Sequence, residues 1–264
     1  MALSPRRRAR LSRGIQYVVL LALVVIIFSL ADLGQLQKDF FDVAIIQGMF
    51  PDVFVIALKN TVLYTACGFT FGLLLGMVLA LMRLSPVGPY RWLATGFIEF
   101  FRGLPALVVF IALNTGVPIA FPGYEIPGDE LGVATLALGL VGGAYMAETI
   151  RAGIQAVPKG QIEAARSLGM PQTRAMRSIV IPQAFRIILP PLTNELILLT
   201  KDSSLVYLLG YTAATVELAS FGREVLNQEK NFTPLVVISL CYLLITVPLS
   251  IVVRRMEARA ERAR

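Results

Sequence analysis

The chain has no histidine, and its 264 residues include only two cysteines, Cys67 and Cys241. Both cysteines lie inside long apolar stretches, where a disulfide between loops is impossible and a small apolar role is expected. The sequence also has no Cys-x-x-Cys pair and no carboxylate–histidine cluster, so it offers no apparatus for metal binding or nucleophilic chemistry. We therefore expect no catalytic residue and no metal ligand, and a membrane-embedded enzyme is disfavoured.

A Gly-x-x-x-x-Gly-Lys-Ser/Thr phosphate loop is missing as well. If ATP drives a process in which this chain takes part, the ATP and its Mg²⁺ must be bound by another chain. We expect no cofactor in this one.

What the chain has in abundance is apolar surface, with 56% hydrophobic residues and a mean hydropathy of +0.71. This exceeds what a soluble domain of this size can bury, so the composition predicts a polytopic, all-α membrane protein. Each candidate span approaches the roughly 20 residues that a helix needs to cross the hydrocarbon. The six stretches are Ile15 to Ala31, Thr61 to Leu81, Trp92 to Leu113, Leu131 to Ile150, about Ile187 to Tyr211, and Leu235 to Val253.

The basic residues indicate an orientation for these spans. With the N-terminus in the cytoplasm, the inside segments hold 18 of the 24 lysines and arginines, and the outside segments 32–52 and 114–130 are acidic. This asymmetry predicts cytoplasmic N- and C-termini. It also explains the net charge of +7, and a nucleic-acid partner is disfavoured because the bases are split among loops without interleaved aromatics. The inside residues are Arg6, Arg7, Arg8, Arg10, Arg13, Arg83, Arg91, Arg151, Lys159, Arg166, Arg174, Arg177, Arg186, Arg254, Arg255, Arg259, Arg262 and Arg264.

The first 56 residues contain a basic tail, the first apolar stretch and an acidic segment. Arg6 to Arg13, the apolar run and Ser29-Leu30-Ala31 also fit a cleavable signal peptide. The apolar run is longer than a usual signal core, so we expect an uncleaved anchor. The sequence divides into this N-terminal region (1–56), a transmembrane domain (57–253) and a basic cytoplasmic tail (254–264).

A long basic loop, residues 158–182, separates the fourth and fifth stretches. Good helix formers run from Gln161 to Leu168, and Gly169 stands where a helix end tolerates positive φ. Pro171 suits the first position of a second helix, and Pro182 marks where that helix stops or hands over to the next element. The loop therefore predicts a helix, a tight turn and a second helix.

The small side chains of Ala164 and Ala165 create a face that another protein could approach closely, with Glu163, Arg166, Arg174 and Arg177 as orienting charges. An amphipathic helix pair lying on anionic lipid would carry similar charges. Because alanines contribute little membrane-anchoring area, a protein partner is favoured.

Seven short motifs follow one another along the chain. They are Leu58-Lys-Asn-Thr61, Glu99-Phe-Phe-Arg-Gly-Leu-Pro105, Ala144-Tyr-Met-Ala-Glu-Thr-Ile-Arg151, Val157-Pro-Lys-Gly-Gln161, Glu163-Ala-Ala-Arg-Ser-Leu-Gly169, Ile179-Val-Ile-Pro182 and Lys201-Asp-Ser-Ser-Leu205. These motifs resemble those of one transporter family, the permease subunits of bacterial ATP-binding-cassette (ABC) importers. The loop matches the family's signature of Glu-Ala-Ala, three residues, Gly, nine residues and Ile-x-Leu-Pro, with Ile181 for the leucine. The chain from Ala57 to Leu209 resembles the polar amino-acid uptake branch, although Leu104 and Ser203 stand where threonine is usual.

This resemblance implies the type I ABC importer permease fold in a bacterial cytoplasmic membrane. It implies an ATPase-coupling loop formed by Glu163, Ala164, Ala165, Gly169, Ile179 and Pro182. It further implies three kinds of partner: two ATP-binding subunits, an extracytoplasmic amino-acid-binding protein and a second permease copy in a homodimer or heterodimer. Family members commonly have five spans, so the first stretch is an addition.

Charged residues inside spans are costly unless they are paired or wetted, so they mark candidate path residues. Lys201 and Asp202, followed by Ser203, interrupt the fifth stretch; they either contact a zwitterion or form an ion pair with a neighbouring helix. Asn194 and Glu195, near its inner end, fit an inner gate or a solvated cap.

Two charged pairs stand three residues apart on other stretches. Glu99 and Arg102 fit an ion pair within or between helices better than direct substrate contact, with Gly103 and Pro105 adding a kink. Glu148 and Arg151 fit a salt bridge that couples the fourth span to the loop.

Small residues repeat every fourth position on the second and fourth stretches. Such ridges mark close helix contacts in lipid, either within the chain or across a dimer. The ridges are Gly68, Gly72, Gly76 and Ala80, and Thr135, Gly139, Gly143 and Ala147.

The resulting hypothesis is an importer permease for a polar amino acid such as glutamate, glutamine, aspartate or a basic one. An ion-coupled secondary transporter is the alternative, but it would be expected to show internal repeats and would leave the loop unexplained. A scaffold protein would not need Lys201 and Asp202 within a span. Which amino acid is carried stays open at this point.

Overall fold

The computed structural model describes the backbone of residues 5–262, and the side chains of residues 13–23, 25–26 and 29–259. The side chains of most of the predicted basic tails, including Arg6 to Arg10, Arg262 and Arg264, lie outside the described residues. Within 5–262 the chain is all-helical, which confirms the predicted fold class.

The described helices follow each other with short connections. They are α1 (Pro5–Leu30), α2 (Leu33–Phe40), α3 (Val43–Met49), α4 (Lys59–Leu84), α5 (Gly88–Gly103), α6 (Ala106–Ile111), α7 (Val117–Ala120), α8 (Asp129–Gln155), α9 (Lys159–Ser167), α10 (Gln172–Ala175), α11 (Ile181–Asp202), α12 (Leu218–Glu229) and α13 (Thr233–Arg262). Wider π-helical turns precede or extend α4, α6 and α11, and a 3₁₀ segment (Ser203–Leu209) continues α11.

Helices α4 and α8 form the central pair, and they run parallel through their two ridges of small residues. A Cβ added to Gly72 would lie 3.1 Å from the backbone nitrogen of Gly143, and one added to Gly76 would lie 2.9 Å from the carbonyl oxygen of Gly143. Only residues without side chains permit this approach, which gives van der Waals contact between the two backbones. The predicted ridges therefore pack within the chain.

Helix α11 packs against α8 and α13, and α12 packs against α13. The main hydrophobic core lies between α4, α6, α8 and α11 and includes the fully buried Phe110, Leu138, Met146 and Leu199. We call the end of the molecule that carries residues 156–180 the loop end, and the other end, with the 3₁₀ segment and α12, the opposite end.

The span prediction of Trp92 to Leu113 corresponds to two helices in the structure. Helix α5 ends at Gly103, and the segment from Ala106 to Ala120 leaves at an angle of 104°. Leu104 precedes a proline and is held in an extended conformation (φ −97°, ψ 137°), so the helix cannot continue through it. This confirms the predicted kink at Gly103 and Pro105.

Among the described residues, three helices are long and apolar enough to cross a membrane, namely Val53–Leu84, Asp129–Gln155 and Thr233–Arg259; the bent pair makes a fourth candidate. Helix α11 has the required length, but it carries Arg186, Glu195, Lys201 and Asp202. Within α1, the described apolar helix is Arg13–Leu23. The difference from six predicted stretches thus arises at α1 and α11.

Helices α2 and α3 lie against the beginning of α13. The ring of Phe40 stacks on Phe232 at 5.4 Å, the backbone N–H of Phe232 donates to the Asp39 carbonyl at 2.8 Å, and the Asp42 N–H donates to Thr233 Oγ1 at 3.0 Å. By contrast, every described side chain of α1 is exposed. The N-terminal region is therefore attached to the body through α2 and α3.

Candidate coupling loop and translocation path

The basic loop folds as the predicted helix, turn and helix. Gly169 has φ +82°, its N–H donates to the carbonyl of Arg166 at 2.9 Å, and the N–H of Met170 donates to the carbonyl of Ala165 at 3.1 Å. This pair of bonds is the Schellman motif, which closes a helix C-terminus and needs a left-handed residue. Pro171 is the residue before α10 rather than its first helical residue, a shift of one position.

The outward surface of the loop differs from the predicted one. Ala165 is only 4% exposed, so it packs inward and leaves Ala164 as the exposed alanine of the pair. The predicted face of two adjacent alanines is wrong, because neighbouring helix positions point about 100° apart. Glu163, Arg166, Arg174 and Arg177 are all exposed.

A leucine that the sequence reasoning missed stands at the tip of the loop. Leu168 is 88% exposed, the highest value among the exposed large apolar residues. Its position could have been noticed in the sequence, because Leu168 directly precedes Gly169 and caps the C-terminus of α9. A side chain at such a turn has few neighbours from the other helices. A single exposed leucine is common on protein surfaces, so Leu168 is a candidate contact only because it stands at the tip of the loop whose motif the sequence singled out.

The end of the loop returns the chain to the body. Val180 and Ala175 are buried, Ile179 is half-buried and Pro182 lies in the first turn of α11. The side-chain amide of Gln183 donates to the Ile179 carbonyl at 3.0 Å and to Gln161 Oε1. Ile179 and Pro182, two of the predicted loop residues, thus connect the loop to α11.

Charged side chains form a cluster at the loop end of the helices. Glu148 accepts hydrogen bonds from Arg151, its neighbour on α8, and from Arg83 on α4. Arg151 also donates to Gln155 Oε1 at 2.5 Å, and Arg83 Nη2 lies 3.9 Å from a carboxylate oxygen of Glu99 on α5. The predicted Glu148–Arg151 ion pair is present. Its third member is Arg83 of α4, so the cluster links α8 to α4 and not to the loop.

The ion pair of Glu99 with Arg102 within α5 is not found, and Glu99 instead lies near Arg83 of α4, which is the interhelical alternative. The Arg102 guanidinium lies over the ring of Tyr145, 5.4 Å from its centre, and the Tyr145 hydroxyl donates to the Arg102 carbonyl at 3.4 Å. Because α5 ends at Gly103, Arg102 turns toward α8, while Glu99 lies one turn earlier and near Arg83.

The polar residues of α11 lie along two neighbouring rows. Asn194 and Lys201 are exposed, and Glu195 and Asp202 are half-buried; each pair is seven residues apart, which is two helical turns. Asn194 and Glu195 lie in the middle of α11, not near its inner end, because the helix begins at Ile181. Among the described residues, neither Lys201 nor Asp202 has an opposite charge within 4 Å.

The α-helix ends at Asp202 and continues as the 3₁₀ segment, whose first residue is Ser203. Ser203 is fully buried, and its hydroxyl donates to the Thr200 carbonyl at 2.8 Å. Ser203 therefore does not line an open path, contrary to the expectation for it. The next residue, Ser204, is half-buried and borders a cavity.

At the opposite end a cavity of about 270 Å³ lies between α8 and the end of the bent pair. Its lining includes Asn114 and three acids of the predicted outside segment, Glu125, Asp129 and Glu130. Asn114 Nδ2 donates to the Leu208 carbonyl at 3.5 Å and so connects this cavity to the 3₁₀ segment.

A buried polar network joins the start of α4 to the segment after the 3₁₀ segment. Asn60 Nδ2 donates to the carbonyls of Ala214 and Val216 at 2.8 and 2.9 Å, and Thr61 Oγ1 accepts from the Leu218 N–H at 3.1 Å. These two residues belong to the Leu58–Thr61 motif, whose role the sequence alone did not reveal. They hold the backbone of 214–218 in place.

Glu217 continues this network at the beginning of α12. It is fully buried and accepts hydrogen bonds from the backbone of Ala219 and Ser220 at 2.6 and 2.7 Å, as an N-cap does. The hydroxyl of Tyr242 on α13 donates to it at 3.3 Å. Burial raises the pKa of Glu217, and hydrogen bonds from Ser220 and Ala219 oppose the rise.

Comparison with known proteins points to one family. The family model described as "Binding-protein-dependent transport system inner membrane component" matches residues 72–262. The probable glutamine ABC transporter permease protein GlnM of Bacillus subtilis is 38% identical over 215 residues, covering 81% of this chain and 94% of the relative. The arginine transport system permease protein ArtQ of the same organism is 36% identical, covering 71% and 83%.

Solved structures agree with these relatives. A chain from the crystal structure of an amino acid ABC transporter with histidines matches with a TM-score of 0.73 and 36% identity, covering 83% of this chain and 98% of that one. A chain of the MetNI methionine ABC transporter, in an inward-facing conformation, matches with a TM-score of 0.61 at 20% identity and shares the fold.

Proposed function

Because this chain belongs to the family of binding-protein-dependent transport system inner membrane components, we propose that it forms the membrane path through which an ABC importer takes up an amino acid. The chain is a multi-pass inner-membrane transport subunit, and in this family ATP hydrolysis lies in a separate subunit. Its relatives serve glutamine and arginine by name, which supports an amino acid as the substrate class.

The observation that carries the proposal is the exposed helix–turn–helix of residues 158–180. It presents Leu168 as an apolar tip and Glu163, Ala164 and Arg166 beside it. A groove on the ATP-binding subunit would take the leucine, and the charges would fix its orientation. Ala165, which is buried, and Ile179, which is half-buried, would support the loop from behind, whereas Pro182 is exposed in the first turn of α11.

The path itself is assigned to the polar rows of α11. Lys201 and Asn194 are exposed on α11, and polar groups at membrane depth are costly in lipid, so they would face water, substrate or a second permease copy. Asp202 and Glu195 on the adjacent row offer carboxylates for an ammonium group, and Lys201 offers a cation for a carboxylate. Glu99 and Arg102 border this region less directly, because they contact Arg83 and Tyr145.

Movement would pass from the loop to these rows through α8 and α11, the two helices that the loop joins. Closure of two ATP-binding subunits on ATP would push on the loops of two permease copies, homodimeric or heterodimeric, and the cavity between them would open inward. Both termini would lie in the cytoplasm, as the distribution of basic residues supports. An extracytoplasmic binding protein would deliver the amino acid at the opposite end.

The test is uptake of labelled amino acids into vesicles that contain this chain with its co-purifying permease and ATPase. Glu163→Arg and Leu168→Asp change two exposed residues of the loop, so the chain should still insert, while we expect uptake to fall at least tenfold and the ATPase to be lost on purification. Lys230→Asn serves as the matched control at the opposite end. Normal uptake in both loop variants, or uptake without ATPase, would favour an ion-coupled secondary transporter instead.

A further inference from the structure

The 3₁₀ segment continues a row from α11, and two residues of this row, Ser204 and Tyr207, are not used by the path described above. A 3₁₀ helix has three residues per turn, so residues three apart lie in line. Ser203 and Val206 form a buried row, whereas Lys201, Ser204 and Tyr207 form the adjacent row, which is exposed or half-buried. This row runs from the end of α11 toward the opposite end of the molecule.

Arg223 on α12 lies over the last member of that row. Its guanidinium carbon is 5.3 Å from the centre of the Tyr207 ring, a cation–π contact that orients the guanidinium plane. Among the described residues, Arg223 has no carboxylate within 4 Å. A stacked guanidinium keeps the N–H groups along its edge available to a ligand.

The helix that carries Arg223 is held firmly. Glu217 caps its first turn, and Gly222 lies so close to α13 that an added Cβ would be 2.6 Å from Ile238 Cδ1. The backbone of α12 is therefore fixed on two sides, and the exposed Arg223 side chain is oriented by its contact with the Tyr207 ring.

A cavity of about 370 Å³ opens beside this pair. Such a volume falls within the usual range for small-molecule pockets, about 300–1,000 Å³. Ser204, Tyr207 and Arg223 supply its polar groups, and apolar side chains complete the wall; these are Ala219, Leu226, Leu235 and Ile238. One cation and two hydroxyl groups beside a mainly apolar wall suit the carboxylate end of an amino acid; among the described residues, the lining has no acidic side chain for the ammonium group, so the match is to the carboxylate alone.

We propose that Ser204, Tyr207 and Arg223 form a carboxylate-binding subsite at the opposite end of the path, where an incoming amino acid is held by its α-carboxylate before it reaches Lys201 and Asp202. The guanidinium would hold the carboxylate through two parallel hydrogen bonds. At about 1.5 Å per residue in α11 and about 2 Å per residue in the 3₁₀ segment, Ser204 lies about 5 Å and Tyr207 about 11 Å from Lys201 along the row, so the subsite begins next to the path and extends away from it. The inference rests on the proposed function, since it assumes an amino acid as cargo.

The test uses the complete assembly of permeases and ATPase in phosphatidylcholine vesicles, without the binding protein. Labelled glutamine, arginine and cystine are first tested for import with the binding protein added. Equilibrium binding of the imported one is then compared with that of its α-carboxamide, which lacks the carboxylate. We expect Arg223→Gln to weaken amino-acid binding about tenfold or more and to change carboxamide binding less than twofold. Arg223→Lys keeps the positive charge but cannot form the two parallel hydrogen bonds of a guanidinium, so it should cause an intermediate loss of amino-acid binding.

Lys230→Asn is the matched control, because it removes a positive charge from the end of the same helix at a residue that does not line the cavity, and asparagine tolerates the left-handed backbone there (φ +53°). It should bind both probes as the wild type does. Co-purification of the ATPase reports that each variant is assembled.

Three results would overturn the subsite: unchanged amino-acid binding in Arg223→Gln, an equal loss for amino acid and carboxamide, or the same loss in Lys230→Asn. Competition by added phosphatidylglycerol with the wild-type signal would identify a lipid phosphate as the bound anion and would also overturn it. If the wild-type assembly imports none of the three amino acids and neither glutamate nor aspartate, the proposed function fails, and the subsite fails with it. Import by an Arg223→Gln assembly with unaltered binding would refute the subsite alone.

Discussion

Glu148 adds an ion-pair link between α4 and α8 at the loop end, beyond the glycine contact along the two helices. Its carboxylate is shared by Arg83 of α4 and Arg151 of α8, and all three side chains are only 22–26% exposed. Glu99 is the fourth charged residue of this cluster, but its side chain is 60% exposed and 3.9 Å from Arg83. The two glutamates therefore provide a comparison between a partly buried and a surface ion pair.

Glu148→Gln should lower the free energy of unfolding by about 1–3 kcal/mol, because it leaves two partly buried guanidinium groups without their carboxylate. Glu99→Gln makes the same chemical change and should cost less than about 1 kcal/mol. Thermal unfolding of the purified protein in detergent measures both. Equal losses would contradict the view that Glu148 is the centre of the cluster.

Gly76→Ala should also destabilise the protein, by about 1–3 kcal/mol, because the new methyl group would meet the backbone of α8. Gly96→Ala is the matched control, since an added Cβ there meets nothing within 4 Å. The melting temperatures of the two variants are compared in one detergent. A stable Gly76→Ala protein would show that α4 and α8 can separate without penalty.

At the scale of single residues, the sequence predicted local backbone conformation and small-residue ridges better than it predicted which side chains contact each other. The glycine ridges and the left-handed Gly169 follow from local rules that need no knowledge of the fold, and the structure confirms them. The partner of Glu99 was mispredicted because spacing of three residues suggests a pair only if the helix continues, and α5 ends one residue after Arg102. The burial of Ala165 depends on the body behind the loop, which no local pattern encodes.

The coupling loop is the element whose shape depends most on a single backbone angle. Gly169→Ala places a Cβ at φ +82°, which costs about 1–2 kcal/mol, and nothing lies within 4 Å to complicate the effect. We expect several-fold less ATP-binding subunit to co-purify with the variant permease, while the yield of the permease itself stays normal. Gly160→Ala, also without neighbours within 4 Å, should retain the wild-type amount; a parallel loss there would indicate a general effect on the loop.

The break between α5 and α6 gives a second prediction about an element. Pro105→Ala removes the ring that keeps Leu104 extended, so the two helices should partly straighten. Spin labels at Leu93→Cys and Ile119→Cys, both exposed positions, report the distance across the bend after Cys67 and Cys241 are replaced by alanine. The distribution should shift to longer distances in Pro105→Ala, and an unchanged distribution would mean that tertiary packing alone sets the 104° angle.

At the scale of the whole molecule, the N-terminal region separates into a part that is attached and a part that is not. Deletion of residues 2–30 removes α1, whose described side chains are all exposed, so the melting temperature should change by less than about 2 °C. Deletion of residues 2–41 also removes the Phe40–Phe232 stack and the hydrogen bond from Phe232 to Asp39. It should lower the melting temperature by roughly 4 °C or more.

The two deletions share the loss of α1, so any difference between them belongs to α2. Equal stability of both would contradict the attachment of the N-terminal region through α2, and a large loss in the shorter deletion would show that α1 packs on the body in the membrane.

Fold class and family were readable from the sequence because they depend on hydropathy and on motifs that lie close together along the chain. The position of polar residues along their helices and their exposure could not be predicted as well. Asn194 and Glu195 were placed at a helix end because the apolar run was taken to begin at Ile187, whereas α11 begins at Ile181 as a continuation of the loop. Contacts between distant segments, such as Asn60 with 214–216, carry no signal in a single sequence.

The glycine contact between α4 and α8 has a mechanical consequence. Helix α8 is 27 residues long, about 40 Å, and it leads at one end into the coupling loop and begins at the other beside the acidic cavity. Two backbones in direct contact leave no compressible side-chain layer between them, so the pair is stiff. We expect α4 and α8 to move as one rigid body, so that a displacement at the coupling loop also displaces the cavity at the opposite end. Bending would then occur in α11 and at the break between α5 and α6.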